Sequence, residues 1–125
     1  MAQKVVLSVG QCRPDQAALT HFLKSHFDAE VPTADLPADV DNIVSARDVD
    51  LILINRKLDA DYSDGLDILR NLKADSARSS IPVMLVSNFP EWQEQAVELG
   101  ACYGFGKAEL NSAAVVDRIR VALKL

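Results

Sequence analysis

Residues 81–107, IPVMLVSNFPEWQEQAVELGACYGFGK, contain the pattern that decides the fold. The apolar run Val83–Val86 predicts a short buried strand, and Tyr103–Gly106 predicts a second strand. Between them, the helical segment Glu91–Leu99 follows a proline and stops at Gly100, a typical residue after a helix end. A strand, a helix and another strand in this order predict a βαβ unit, whose two strands lie parallel in one sheet.

The same alternation of strand and helix patterns runs along the rest of the chain. The predicted strands are Val5–Val9, Glu30–Ala34, Leu51–Ile54, Val83–Val86 and Tyr103–Gly106. The predicted helices are Pro14–Phe27, Asp39–Arg47, Gly65–Ala77, Glu91–Leu99 and Ser112–Leu123. Pro32 interrupts the second strand, which we therefore expect at an edge of the sheet or irregular. The sequence predicts a doubly wound α/β domain with a parallel five-stranded sheet and helices on both faces.

Size and composition favour one ordinary globular domain spanning residues 1–125. The chain has 125 residues, 49% hydrophobic and 25% charged, with a net charge of −5. This acidic balance argues against direct nucleic-acid binding, and no apolar stretch is long enough to span a membrane. The start of the sequence lacks the pattern of a signal peptide, so we expect a cytoplasmic protein with free thiols at Cys12 and Cys102.

Polar residues follow the predicted strands at the sheet edge where doubly wound proteins place their functional sites. Gly10 and Gln11 follow the first strand, and Asn55 follows the third. Ser87 follows the fourth strand and Lys107 follows the fifth. These five residues are the candidate site.

Three stretches of the sequence resemble the receiver domains of bacterial response regulators. Residues 81–107 are similar to that family's fourth strand, fourth helix and fifth strand, with its hydroxyl residue on Ser87 and its lysine on Lys107. Residues 49–58, VDLILINRKL, are similar to the stretch with the phosphorylated aspartate, and residues 65–73, GLDILRNLK, to the start of the third helix. The resemblance covers about residues 4–124. It implies a flavodoxin-like strand order of 2-1-3-4-5 and a role in two-component or phosphorelay signal transduction.

The acidic residues of the family pattern are missing. Its two metal-binding carboxylates align on Gly10 and Gln11, and its phosphoacceptor aspartate aligns on Asn55. A neutral amide is a poor nucleophile, and Mg²⁺ prefers carboxylate oxygens. The resemblance thus implies a degenerate receiver, or pseudo-receiver. We expect it to have no metal, no cofactor and no enzymatic activity, and Gly10, Gln11, Asn55, Ser87 and Lys107 to form a remnant pocket.

In a pocket that holds no phosphoryl group, Lys107 and Ser87 need other roles than in the family. We expect Lys107 to bond to the Asn55 side-chain oxygen, to a backbone carbonyl or to water, or else to bind an anion, because a partly buried ammonium needs a partner. Ser87 is expected to cap the turn after the fourth strand, or to sense whatever lies near Lys107.

The expected mode of action is contact with another protein. In receivers, the usual contact surface is the face made by the fourth helix, the fifth strand and the fifth helix. On this face Trp92, Tyr103 and Phe105 are candidate interface residues, and the family's switch aromatic aligns on Gly104. Expected partners are a histidine kinase, another regulator or an output protein, with weak homodimerisation as a further option. The sequence ends soon after its last helix, so we expect no output domain in it.

Two alternatives remain open. The first is a small-anion or ligand sensor that uses Lys107, Ser87 and Arg56. The second is an active phosphoacceptor that uses Asp59 or Asp61, both of which lie past the strand end.

Overall fold

The computed structural model describes residues 3–125, which form six strands, five α-helices and one short 3-10 helix. The strands are β1 (Lys4–Val9), β2 (Ala29–Glu30), β3 (Thr33–Ala34), β4 (Leu51–Asn55), β5 (Val83–Val86) and β6 (Cys102–Phe105). The helices are α1 (Arg13–His26), α2 (Pro37–Ala46), α3 (Gly65–Ala74), α4 (Pro90–Glu98) and α5 (Ala113–Ala122), and the 3-10 helix is Lys107–Glu109. No helix in this part of the chain is long and apolar enough to cross a membrane.

The strands form one parallel sheet in the order β2-β1-β4-β5-β6. Both β2 and β3 pair with the same side of β1, β2 with its first residues and β3 with its last. This arrangement confirms the predicted doubly wound α/β fold and its strand order. The central strands are in register over their whole length, so that Val9 pairs with Ile54 and Asn55 pairs with Val86. The last residues of β1, β4 and β5 therefore lie side by side at one edge of the sheet.

Two apolar layers sandwich the sheet, as expected for strands buried on both faces. Alternate residues of each strand enter opposite layers: Ile52 and Ile54 pack with α2, α3 and α4, whereas Leu51 and Leu53 pack with α1 and α5. All four residues are fully buried. This explains why the central strands read as continuous apolar runs in the sequence.

The second predicted strand is divided in two. Pro32 has no N–H to donate, and the chain leaves the ladder at Val31 and Pro32 between β2 and β3. The carbonyl of Pro32 still accepts a hydrogen bond from the Ser8 amide at 2.9 Å. The expectation of an irregular strand at the edge is confirmed.

Helix boundaries differ from the predicted ones by a few residues. The largest difference is at the end of α3, which was predicted to reach Ala77 but stops at Ala74. Asp75 adopts an extended conformation there, and its carboxylate accepts a hydrogen bond from the Ala77 amide at 2.9 Å. A side chain that bonds to its own following backbone competes with helix continuation, which is why the helix ends early.

The pairing of β5 with β6 is interrupted by a bulge. Met84 pairs with Cys102 and Val86 pairs with Phe105, so β6 has one more residue than β5 between these two pairs. An extra residue leaves backbone groups without ladder partners and bends the strand.

A buried glutamine of α4 bonds to the backbone at this bulge. The Gln93 amide nitrogen donates to the carbonyls of Leu85 at 2.9 Å and Ser87 at 3.1 Å. Its oxygen accepts from the backbone amide of Gly104 at 2.9 Å. A Cβ atom at position 104 would collide with the carbonyl oxygen of Leu85, so glycine is required there. Gln93, only 2% exposed, therefore links α4 to both strands.

We expect Gln93→Leu to lower the free energy of unfolding by about 2–4 kcal/mol, because it leaves several buried backbone groups without partners. Urea denaturation measures this change. The matched control is Gln95→Leu, an exposed position of the same helix, which should change stability by less than about 0.5 kcal/mol. Equal effects of the two substitutions would contradict a structural role for the Gln93 amide.

Candidate functional site

The candidate site lies at the carboxyl edge of the sheet, where the ends of β1, β4 and β5 meet. Asn55 is the last residue of β4, and Gly10 and Ser87 directly follow its two neighbouring strands. Lys107 begins the 3-10 helix beyond β6. The parallel sheet thus brings together residues that lie far apart in the sequence.

The side chain of Asn55 acts as a hydrogen-bond donor to the backbone. Its amide nitrogen donates to the carbonyl of Lys57 at 2.8 Å and to the carbonyl of Gly10 at 3.2 Å. An ionised aspartate can only accept hydrogen bonds, so it could make neither contact. The amide at position 55 therefore ties the end of β4 to the turn after β1, where a carboxylate would be repelled by both carbonyl oxygens.

Gly10 sits in a left-handed backbone conformation with φ of 75°. Its amide donates to the carbonyl of Ala34 at 2.8 Å, and its carbonyl accepts from the Asp59 amide at 3.0 Å. A Cβ atom at this position would lie 2.6 Å from Cγ of Leu58, which is fully buried. Leu58 thus occupies the space that a side chain at position 10 would need.

Gln11 does not face the same space as Asn55. It is 8% exposed, and its amide nitrogen makes only a long contact of 3.5 Å with the carbonyl of Val9. Its oxygen has no hydrogen-bond partner within residues 3–125. Gly10 and Gln11 line a cavity of about 520 Å³ beside α1 and β3, separate from the cleft lined by Asn55, Ser87 and Lys107. Gln11 meets Lys107 only in a third cavity of about 100 Å³.

Lys107 is bound to a carboxylate that the sequence analysis did not identify. Its ammonium lies 2.7 Å from Oδ2 of Asp15, in the first turn of α1. The expected hydrogen bond from Lys107 to the Asn55 oxygen or to a backbone carbonyl is not formed, and the ammonium bonds to Asp15 instead. The hydrogen bond from Lys107, and a second from the Cys12 thiol, lower the pKa of Asp15, although partial burial opposes the shift.

Ser87 shapes the turn that leads into α4. Its hydroxyl oxygen accepts a hydrogen bond from the Phe89 amide at 3.3 Å. The predicted role of Ser87 as the cap of this turn is confirmed.

A cleft of about 300 Å³ opens between the end of β4 and the start of α4. Arg56 and Trp92 form one side of it, with the guanidinium carbon 3.8 Å from the centre of the indole ring. Such stacking combines cation–π attraction with burial of the Arg side chain. The contact between Arg56 and Trp92 could not be predicted, because nothing in the spacing of a strand end and a helix start reveals it.

Of the three candidate interface residues, only Tyr103 is exposed. Tyr103 is 45% exposed on β6, with the guanidinium of Arg118 5.3 Å from its ring. Phe105 is fully buried between α1 and α5, so its assignment to an interface is wrong. Trp92 is half-buried and packs against the core under α4.

Acidic side chains near the site are scattered. In residues 3–125, no three His, Cys, Asp or Glu side chains are grouped so that they could hold a metal ion. The Ser63 hydroxyl lowers the pKa of Asp61, and so does the Ser63 amide, which donates to the Asp61 carboxylate at 2.9 Å. Asp59 lines the cavity beside Gly10 rather than the cleft.

No protein-family model matches this chain, and no curated protein matches it. Solved structures do. The signal receiver domain of a DNA-binding response regulator from Colwellia psychrerythraea 34H is 23% identical with a TM-score of 0.81, over 98% of this chain and 100% of that one. A response regulator receiver protein from Pseudomonas putida is 18% identical with a TM-score of 0.76, over 97% of this chain and 98% of that one.

A third structure in this group includes a bound metal. It is the receiver domain of the sensor histidine kinase PA1611 from Pseudomonas aeruginosa PAO1, which has a magnesium ion coordinated in its active-site cleft. It is 16% identical to this chain, with a TM-score of 0.76 over 99% of this chain and 100% of that one. The chain described here has the fold of these receiver domains.

We expect Asp15→Asn to lower the free energy of unfolding by about 0.5–1 kcal/mol at pH 6.5, a modest effect because the ion pair is partly exposed. The folded protein binds the Asp15 proton less tightly than the unfolded chain. The stabilisation is therefore complete above the ordinary carboxyl pKa and is lost as pH falls through the lowered one. Urea unfolding at pH 6.5 and at about pH 3 measures the difference.

The matched control is Asp67→Asn, which removes an exposed ion pair with Arg70 within α3. Its effect should be small at both pH values. A stability deficit of Asp15→Asn that stays constant down to about pH 3 would contradict the role of the charged Asp15–Lys107 pair.

Proposed function

We propose that this chain is a pseudo-receiver of two-component or phosphorelay signalling, which acts through protein contacts and is not phosphorylated at position 55. The hydrogen bonds that the Asn55 amide donates to the carbonyls of Gly10 and Lys57 carry this proposal. They give the residue at the phosphoacceptor position a structural task that an aspartate cannot perform. The cytoplasmic location expected from the sequence is part of the proposal.

The chemistry of phosphoryl transfer supports a role without catalysis. A receiver needs an anionic oxygen as nucleophile and a cation that gathers the phosphoryl oxygens. Asn55 supplies a neutral amide, and positions 10 and 11 supply no carboxylate for Mg²⁺. Lys107, which would pair with a phosphoryl group, is already neutralised by Asp15. The proposed protein is thus a binding module rather than an enzyme.

The side chain that couples the phosphorylation site of a receiver to its outer face also has no counterpart in this chain. Where the family pattern has a rotating aromatic, this chain has Gly104, whose amide is fixed by Gln93. There is no side chain at position 104 to change rotamer, and a Cβ there would collide with Leu85. The proposed module therefore presents one conformation of its outer face to its partner.

The proposed contact surface is the outer face of α4, β6 and α5. It includes three exposed apolar side chains, one from each element: Val97 on α4, Tyr103 on β6 and Val121 on α5. Val121 is 77% exposed. Tyr103 and Val121 line the same groove, and exposed apolar groups that lie together mark interaction sites. The proposed partners are a histidine kinase, another regulator or an output protein, and a second copy binds weakly to the same face.

The two alternatives from the sequence have less support. An anion sensor centred on Lys107 lacks a free ammonium, because Asp15 holds it. A shifted phosphoacceptor would need Asp59 or Asp61 next to the Lys107 ammonium. Neither lines the cleft, and the Asp61 carboxylate is engaged within its own loop.

We expect the chain to gain no phosphoryl group when it is incubated with Mg²⁺ and acetyl phosphate, because it lacks both the nucleophile and the metal ligands. Intact-mass spectrometry detects the product directly. Asn55→Asp should also remain unmodified, since it restores the nucleophile without the metal ligands. A receiver domain with all of its acids serves as the positive control, and a phosphoryl group on the wild-type chain would refute the proposal.

We expect Val121→Asp to abolish weak self-association, because it places a charge in the apolar face of α5. Sedimentation velocity over a concentration series measures the association. The matched control is Leu36→Asp, an exposed leucine beside the opposite edge of the sheet, which should leave association unchanged. A wild-type chain that stays monomeric throughout, or an equal effect of both substitutions, would show that this face is not the proposed interface.

A further inference from the structure

The cavity of about 520 Å³ beside α1 and β3 is lined by three segments of the chain that meet at Gly10. The Gly10 amide donates to the carbonyl of Ala34 at the end of β3, and its carbonyl accepts from the Asp59 amide in the loop after β4. Several residues of the wall are small, among them Ala17 of α1, Ala34 and Ala60. Backbone hydrogen bonds therefore fix the wall, and the small side chains leave the space between its segments open.

The charged residues of this wall are Arg13, Asp35 and Asp59. Each comes from a different segment, because Arg13 begins α1, Asp35 follows β3 and Asp59 lies in the loop after β4. All three residues are exposed, so their charged groups are within reach of a molecule in the cavity. The rim of the cavity thus carries one positive and two negative formal charges.

None of these three charged groups has an ion-pair partner within residues 3–125. The sequence contains seven arginines, and each of the other six has a nitrogen within 3.9 Å of a carboxylate oxygen. Arg13 lines the same cavity as two carboxylates and yet pairs with neither, so it lies more than about 4 Å from both. A ligand between them can contact charges of both signs.

The polar side chains at the floor of the cavity bond to one another. Ser8 is 1% exposed, and its hydroxyl donates to the side-chain oxygen of Gln16 at 2.6 Å. The amide nitrogen of Gln16 donates in turn to the Thr20 hydroxyl at 2.8 Å. Recognition of a ligand therefore depends mainly on the charged groups at the rim.

We propose that this cavity binds a free basic amino acid, a molecule with one carboxylate and two cationic groups. The guanidinium of Arg13 binds the carboxylate, because its planar fork matches two carboxylate oxygens. The carboxylates of Asp35 and Asp59 bind the two cationic groups. The charges of the ligand and of the site are then opposite in sign and equal in number. The volume of the cavity lies within the usual range for small-molecule sites.

Other small ligands match these charges less well. An inorganic anion would be repelled by the two carboxylates, and a simple diamine would leave Arg13 without a partner. An amino acid with an apolar side chain would leave one carboxylate unpaired. A divalent metal ion would lack ligands, because in residues 3–125 no three His, Cys, Asp or Glu side chains are grouped to hold one.

This inference does not depend on the proposed function. The cavity is separate from the cleft at Asn55 and from the groove between β6 and α5. A bound amino acid would connect the start of α1, the end of β3 and the loop after β4. Its concentration would thereby control the stability of these segments of the module.

The experiment measures binding of L-lysine and L-arginine by isothermal titration calorimetry at pH 7.5 and low salt. Two analogues of L-lysine test the ligand charges, since cadaverine lacks the carboxylate and L-norleucine lacks the side-chain ammonium. The variants Arg13→Gln and Asp59→Asn each remove one charge from the site. The matched controls are Arg70→Gln on α3 and Asp48→Asn before β4, at the opposite edge of the sheet. All four substituted residues are exposed, so the variants remain folded.

We expect saturable binding of at least one of the two amino acids. Arg13→Gln and Asp59→Asn should each lose about fivefold or more in affinity, as for removal of one charge-assisted contact. Both control variants should bind as the wild type does, and cadaverine and L-norleucine should bind more weakly than L-lysine.

The proposal is overturned if neither amino acid binds saturably, if either site variant keeps its affinity, or if a control variant loses as much. Equal affinity for cadaverine or for L-norleucine would also overturn it, because the matching of all three charges would then play no part. None of these results bears on phosphorylation at position 55 or on self-association, so they leave the proposed function untouched.

Discussion

The hydrogen bonds of the Gln93 side chain are the interaction on which the carboxyl edge of the sheet depends. They join α4 to the two strands on either side of the bulge, where the regular ladder fails. The start of α4 forms one wall of the cleft, and Trp92 is the residue next to Gln93. A polar side chain is tolerated in the core here because both its amide nitrogen and its amide oxygen bond to the backbone. The hydrogen bonds of Gln93 therefore position the start of α4 beside the cleft, although Gln93 itself does not line it.

The candidate site consists largely of neutral and self-paired groups. The amide of Asn55 bonds to two carbonyls, and the Lys107 ammonium bonds to the Asp15 carboxylate. Receivers that use a metal must hold several carboxylates close together, which is unfavourable without the ion. This chain avoids that cost, because its strand ends are connected by hydrogen bonds that need no ligand.

Sequence reasoning identified the fold because the signals for it are local and repeated. Buried strands read as apolar runs, and helices follow them with recognisable starts and ends. It failed where a contact joins distant parts of the chain. Nothing in the sequence around Asp15 points to Lys107, and only the packing of α1 beside the 3-10 helix brings the two side chains together. Likewise, nothing near Gln93 in the sequence reveals the bulge to which its side chain bonds.

Leu58 has a consequence for how such a domain can evolve. It fills the space next to Gly10, and the backbone at Gly10 is left-handed. A descendant that gains a carboxylate at position 10 would first lose stability and could bind a metal only after Leu58 had also changed. Neither step is an advantage without the other, so selection would tend to remove the intermediate. The geometry of one leucine and one glycine thus opposes the introduction of a metal-binding carboxylate at the end of β1.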